Sequence, residues 1–172
     1  MSANGLPPSE SGARHRGGCV PAEHLVLRPV AGPEEFPLLV SVWRSAVQAT
    51  HDFVASADLW EIEGLLAASY LPNVRVTVAE IAGRTVGFSG TANGRLEMMF
   101  VHNEFRGQGV GSALLAHVLE LEDVVELDVN EQNEQAVSFY LARGFEVVGR
   151  AEVDEAGRPY PLLTMRRATS PG

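Results

Sequence analysis

Apolar residues change their spacing several times along the chain, and each change marks an element. Residues 24–28 alternate apolar and polar side chains, as a half-buried strand does. After Gly32-Pro33, the residues Phe36, Leu39, Val40, Trp43, Ala46 and Val47 recur at helical spacing. Pro37 falls in the first turn of that helix, where its missing N–H costs little. A second helical pattern covers residues 58–70, with Asp58 and Glu61 at capping-box spacing and a stripe of Leu59, Ile62, Leu65 and Leu66. Three strand-like runs follow, at 75–81, 84–91 and 95–101. The dipeptides Ala82-Gly83 and Asn93-Gly94 between them suit two-residue hairpin turns. Helical spacing returns at 109–120, aiming Val110, Leu114, Leu115, Val118 and Leu121 at the sheet and His117 at solvent. A strand at 124–129, a helix at 133–143 closed by Gly144, and strands at 145–153 and 161–166 complete the pattern. The turn Glu155-Ala156-Gly157-Arg158 joins the last two strands. The order β-α-α-β-β-β-α-β-α-β-β predicts a mixed α+β fold: a central, mostly antiparallel sheet with helices on both faces.

Residues 1–23 are rich in Gly, Pro and Ser and show no periodicity, so they read as a disordered tail ahead of a single domain at 24–168. Arg14, His15 and Arg16 fall in that tail as solvated residues. So does Cys19, the only cysteine, which excludes a disulfide framework or a cysteine zinc cluster. With 172 residues, 45% of them hydrophobic, the chain can bury one sizeable core. The net charge of −9 disfavours nucleic acid as a partner and favours cationic ones. No apolar run approaches a membrane span, and the N-terminus lacks the charged start and apolar core of a secretory signal. The expectation is a cytoplasmic protein without a membrane partner.

The chemistry concentrates at residues 100–115. A strand ends at Val101, the polar segment His102-Asn103-Glu104 intervenes, and Arg106 is followed by Gly107, Gly109 and Gly111 at alternate positions before a helix begins. Glycines beside a helix start leave backbone N–H groups uncovered, and the first helical turn adds unpaired donors and partial positive charge. Such a loop holds an anion, above all a phosphate. A P-loop requires a lysine after its last glycine, and the chain contains no lysine. A dinucleotide turn requires G-x-G-x-x-G directly off the strand with an acid about 20 residues on. Asp128 meets the second condition, but Ser112 occupies the slot of the third glycine and residues 102–105 separate strand from loop.

The segment 106–111 instead resembles the [QR]-x-x-G-x-[GA] pyrophosphate loop of the GNAT superfamily of N-acetyltransferases. A second segment, Asn133 to Phe145, is similar to that family's N-x-x-A-x-x-F-Y-x-x-x-G-F helix. Ala49-Thr50-His51-Asp52-Phe53, residues 128–136, residues 149–154 and Pro159-Tyr160-Pro161-Leu162-Leu163 resemble a bacterial subgroup of the same family. The resemblance spans about Val26 to Met165.

It implies the GNAT fold and acetyl-CoA as co-substrate, with no metal. The cofactor would be held by Arg106, Gly107, Gln108, Gly109, Val110, Gly111 and Ser112 around its diphosphate. Met99, Phe100 and Val101 would pair with the pantetheine arm like an added strand. If the two parallel strands splay there, as in the family, an N–H at this end of the strand would stabilise an oxyanion. Asn133 bonds the arm, caps its own helix, or does both. Tyr140 matches the tyrosine that protonates the departing thiolate; the alternative is a core tyrosine. Glu97 is either the base that takes the amine's proton or an outward strand glutamate, with His102 as a further candidate. His51, Asp52 and Phe53 form one wall of the acceptor site, although His51 also suits a helix end where it bonds the last carbonyls. Trp43, on its apolar stripe, reads as core. A covalent acetyl-cysteine route is excluded because the only thiol lies in the tail. The expected reaction is direct transfer to a primary amine, on a small molecule, a protein lysine or a protein N-terminus, and the subgroup points to lysine. A homodimer is left open. The rival readings are a non-catalytic acyl-CoA sensor and a toxin-type enzyme acting on aminoacyl-tRNA, the latter opposed by the acidic composition.

Overall fold

The structure is a computed structural model that describes residues 24–123 and 126–168. The tail expected at 1–23, with Arg14, His15, Arg16 and Cys19, and the first two residues of the strand expected at 124–129 lie outside the described residues.

Seven strands form one sheet in the order β1-β2-β3-β4-β5-β7-β6. They are β1 (Leu25–Pro29), β2 (Arg75–Ile81), β3 (Arg84–Ala92), β4 (Arg95–Val101), β5 (Glu126–Asn130), β6 (Phe145–Ala151) and β7 (Leu162–Arg167). The helices are α1 (Phe36–Thr50), α2 (Ser56–Leu65), α3 (Val110–Leu121) and α4 (Glu134–Leu141). Every neighbouring pair is antiparallel except β4 and β5, which run parallel. The two expected hairpins form because both central residues of each turn reach positive φ: 51° and 75° at Ala82-Gly83, 52° and 74° at Asn93-Gly94. That conformation matches the right-handed twist of the strands it joins.

The two faces of the sheet are covered separately. On one, α1 buries Phe36, Leu39, Val42, Trp43 and Val47 against Val76, Val78 and Phe88, so Trp43 belongs to the core. Val42 joins this face while Val40 stays half-buried, a small rotation of the stripe expected from spacing alone. On the other, Val110 and Leu114 of α3 pack on Ala79 and Val86, and Leu115 and Val118 join Leu96, Leu127, Tyr140, Phe145 and Met165. The close seat of α3 depends on Gly87. A Cβ there would stand 3.0 Å from the Phe100 carbonyl oxygen and 3.1 Å from Val110 Cγ1. This packing fixes the start of α3, and so the glycine loop, beside the end of β4.

Three expectations from the sequence change. The second helix starts at Ser56, with Ala55 at its N-cap and no side-chain cap, so Asp58 and Glu61 do not form a capping box. The Asp58 carboxylate instead accepts the Tyr160 hydroxyl, a long-range partner that outcompetes the local one. Beyond Leu65 the helix widens into a π turn at Leu66–Tyr70, and of the expected stripe only Leu66 is buried. Leu121 ends α3 at 62% exposure, and His117 is half-buried rather than solvent-facing. Helical phase sets the direction of a side chain, not the extent of the sheet beneath it.

Candidate functional site

The site begins where two strands part. β4 stays paired with β3 as far as Val101, but its pairing with β5 stops at Leu96↔Leu127. Beyond that point the parallel strands diverge, and backbone groups on the β5-facing side of residues 97–101 have no strand partner there. Unpaired groups of this kind accept an extended, amide-bearing ligand.

After β4, the His102 N–H bonds the Val86 carbonyl (2.8 Å) and its ring Nδ1 accepts the Glu104 N–H (3.2 Å), which tightens a short 3₁₀ turn at Asn103–Phe105. Gly107 and Gly109 then adopt left-handed backbone, φ 73° and 84°. Gly109 is the N-cap of α3 and supplies no side-chain acceptor. The first N–H groups of α3 therefore keep their donors for something outside the protein, at the positive end of the helix dipole.

Helix α4 forms the opposite wall. Asn133 caps it, its side-chain oxygen accepting the Ala136 N–H at 3.3 Å. Two arginines cross between the walls. Arg106 donates to the Gln135 side-chain oxygen. Arg143 Nη2 donates to Ser112 Oγ (2.6 Å), its Nη1 donates to the Phe139 carbonyl (3.0 Å), and the guanidinium lies 3.6 Å over the Phe139 ring.

These walls enclose a cavity of about 460 Å³. Of the residues expected from sequence it brings together Met99, Phe100, Val101, Arg106, Gly107, Gly109, Val110, Gly111, Ser112, Asn133, Tyr140 and His51. Gln108, Asp52, Phe53 and Glu97 are not among its lining. The Gln108 amide turns back to the Glu104 carbonyl (3.2 Å), and its own side-chain oxygen is buried without a partner.

Tyr140 is 8% exposed, edge-on to Phe139 and Phe145 at centroid distances of 5.2 and 5.7 Å. Burial pushes its phenol above the ordinary tyrosine value, opposed by the charge of Arg143. The hydroxyl is therefore a proton donor at neutral pH. His51 caps α1 through its N–H to the Val47 carbonyl (2.8 Å), while its ring Nδ1 meets Thr50 Oγ1 at 2.7 Å. The ring thus bonds a hydroxyl, not the last carbonyls of the helix. Burial lowers the imidazole below its ordinary value, with Asp52 opposing, and Phe53 stacks beside it at 5.2 Å.

Glu97 occupies a β-bulge. Gly90 pairs with Met98 and Thr91 with Leu96, leaving Glu97 as the extra residue. Bulges re-aim side chains and concentrate beside active sites. Glu97 is an exposed residue, as an outward strand glutamate would be, yet partial desolvation raises its carboxyl above the ordinary glutamate range, against the charge of Arg95, with Glu155 and Asp128 adding to the rise. Arg95 Nε stands 3.6 Å from that carboxylate, while Arg95 Nη2 donates to Asp128 at 2.7 Å. Asp128 is thus engaged within the sheet.

Sequence reasoning missed how the flanking loops are fastened. The Tyr160 hydroxyl donates to Asp58 and accepts the Ala55 N–H (3.0 Å), and Phe53 packs edge-on to its ring at 6.4 Å. Arg158 reaches Glu61 at 3.0 Å and Asp154 at 3.2 Å. The bonds from Tyr160, and that from Arg158 to Glu61, tie the α1–α2 connection and the start of α2 to the β6–β7 loop across about a hundred residues of sequence, and no local pattern announces them. The roles of Gln135 and Arg143 were also missed, although both lie within the Asn133–Phe145 motif. A second hollow of about 380 Å³, lined by Ser41, Arg44, Ser45, Gln48, Ala49, His102 and Asn103, shares no residue with the first.

Comparison with known proteins places the chain in a family and a fold. A family model of the acetyltransferase (GNAT) domain matches residues 48–166. The peptidyl-lysine N-acetyltransferase YjaB of Salmonella typhimurium is 42% identical over 133 residues, covering 77% of this chain and 91% of that relative. The solution structure of apo-form YjaB from Escherichia coli superposes with a TM-score of 0.77 at 38% identity, over 85% of this chain and 99% of that one. The PaiA N-acetyltransferase of Thermoplasma acidophilum, solved in complex with coenzyme A, shares the fold at 18% identity, with a TM-score of 0.63 over 81% of this chain and 97% of that one.

Proposed function

Because this chain belongs to the GNAT acetyltransferases, we propose that it transfers the acetyl group of acetyl-CoA directly to the side-chain amine of a protein lysine. The observation that carries this reading is one cavity whose lining brings together the parted end of β4, the bare N-terminus of α3 and Tyr140. The lysine acceptor rests on the likeness to YjaB, which is named for that activity.

The residues present fit acetyl-CoA. Ideal Cβ positions at Gly107 and Gly109 meet nothing within 4 Å, so the loop faces open space that a diphosphate can enter. Arg106 adds a fixed charge at its lip. The β5-facing edge of residues 97–101 offers backbone groups to the amides of the pantetheine arm, and this double hold makes attack on the thioester effectively intramolecular. The thioester supplies an activated acetyl group. The chain supplies the proton movements: Tyr140, kept neutral by burial, gives its proton to the leaving sulfur. Glu97, raised by partial desolvation, takes the proton of the acceptor amine through water, since it does not line the cavity itself. Neutral His51 lies where the acceptor side chain enters, with Asp52 and Phe53 shaping the loop behind it.

The test is to incubate the protein with acetyl-CoA and a panel of lysine peptides, N-terminal peptides and small amines, and to follow both thiol release and product mass. Because the chain has no lysine of its own, every acetyl-lysine found belongs to the added acceptor. Thiol release matched by acetyl on a lysine side chain is the expected result. Acetylation confined to small amines or peptide N-termini, or thiol release without any acetylated amine, overturns the lysine assignment.

A further inference from the structure

Most of the described arginines are committed to carboxylates. Of the chain's thirteen basic residues, all arginine, Arg14 and Arg16 lie outside the described residues. Eight of the other eleven form ion pairs with Asp or Glu. Among the described residues, only Arg106, Arg143 and Arg167 have no carboxylate partner, and the first two both line the cavity. In a chain of net charge −9, two arginines held only by neutral groups both line this cavity and make it a favourable place for an anion.

Their partners are informative. Arg143 is oriented by Ser112 Oγ, in the first turn of α3, and by the carbonyl and ring of Phe139. The two hydrogen bonds and the ring fix the plane of the guanidinium while leaving several of its donors unspent. It stands beside the helix N-terminus but on the α4 side, across from Arg106 and the glycines. The diphosphate of coenzyme A accounts for the backbone cradle and Arg106. Coenzyme A carries one more phosphate, on the 3′ position of its ribose, which calls for a cation besides Arg106.

We propose that Arg143, held by Ser112 and Phe139, binds the ribose 3′-phosphate and makes the enzyme selective for coenzyme A esters over esters of dephospho-coenzyme A. This rests on the acetyl-CoA reading above and adds a residue that discriminates within it.

The test compares acetyl-CoA with acetyl-dephospho-CoA, which differs only in lacking the 3′-phosphate. Wild-type enzyme is expected to favour acetyl-CoA in kcat/KM by about tenfold or more, the scale of one charge-assisted contact. In Arg143→Gln that ratio collapses towards one, chiefly through KM, because the phosphate lies far from the reacting carbon. Arg143→Lys, which keeps the charge without the planar fork, is read the same way if the glutamine variant fails to fold, and its ratio falls below that of wild type. A wild-type ratio near one, or a ratio unchanged in folded variants, overturns the proposal; a merely structural arginine would lower both rates together. Calorimetric titration with coenzyme A and with dephospho-coenzyme A separates the two readings. Preferential binding without any acetyl transfer defeats the transferase proposal but sustains this one, and transfer without preference does the reverse.

Discussion

Replacing Tyr140 with phenylalanine removes one oxygen and little else. The ring is 8% exposed and packs edge-on against Phe139 and Phe145, contacts that phenylalanine keeps. The folded state should change by no more than about 1 kcal/mol, the net worth of a typical hydrogen bond, and the melting temperature should barely move. Catalysis should respond differently. If the phenol protonates the leaving thiolate, its loss costs roughly 100-fold in kcat, equivalent to about 2.7 kcal/mol of barrier. KM for acetyl-CoA should stay within about twofold, because the contact strengthens only as the sulfur departs. Since burial and not a hydrogen-bonded partner raises this phenol, the wild-type rate should show no alkaline decline until well above the ordinary tyrosine value, near 10. Single-turnover measurement with thiol detection isolates the chemical step from product release. A folded Tyr140→Phe variant with wild-type single-turnover rates, or one whose whole loss lies in KM, refutes the role of proton donor.

Three further outcomes follow from other parts of the structure. Glu97→Gln should lower kcat by about 100-fold and remove the acid limb of its pH profile; because partial desolvation raises this carboxyl, that limb should lie above the ordinary glutamate range, and an unaltered limb in the variant would move the search to His51. Gly87→Ala should cost about 1–3 kcal/mol by denaturant titration, as α3 is pushed off β3 by a Cβ 3.1 Å from Val110 Cγ1; unchanged stability would show that the helix seat is not tight. Glu35 is held down to about 2, first by its hydrogen bond from Arg28 and then by the Ala31 N–H. A depressed carboxyl stabilises the fold above its unfolded value near 4.3 and loses that contribution as pH falls towards about 2. The gap in melting temperature between wild type and Glu35→Gln should therefore close across this window, and a gap independent of pH would contradict it.

Most of the fold was legible because it is written in local signals: two hairpin dipeptides, period-two strands, and helices whose apolar stripes face a sheet. The glycine loop was legible for the same reason, since Gly107 and Gly109 carry the left-handed backbone the loop requires. Long-range competition was not legible. Asp58 is spaced like a cap, yet its carboxylate takes a bond from Tyr160, a hundred residues away. The bulge at Glu97 arises from a register slip between β3 and β4 that depends on both strands, so no single-strand pattern could reveal it. Arg143 was visible as a motif position, but its character depends on what its neighbours lack, namely a carboxylate to pair with.

The central claim is that the bare N-terminus of α3 and the parted end of β4 together grip coenzyme A. Titrating isotope-labelled protein with coenzyme A and following backbone amide signals tests it most directly. The largest shifts should fall on Gly107, Gly109, Gly111 and Ser112, with a second set at Met99, Phe100 and Val101. Shifts gathered instead around Ser41, Arg44 and His102, at the separate hollow beside α1, would contradict it.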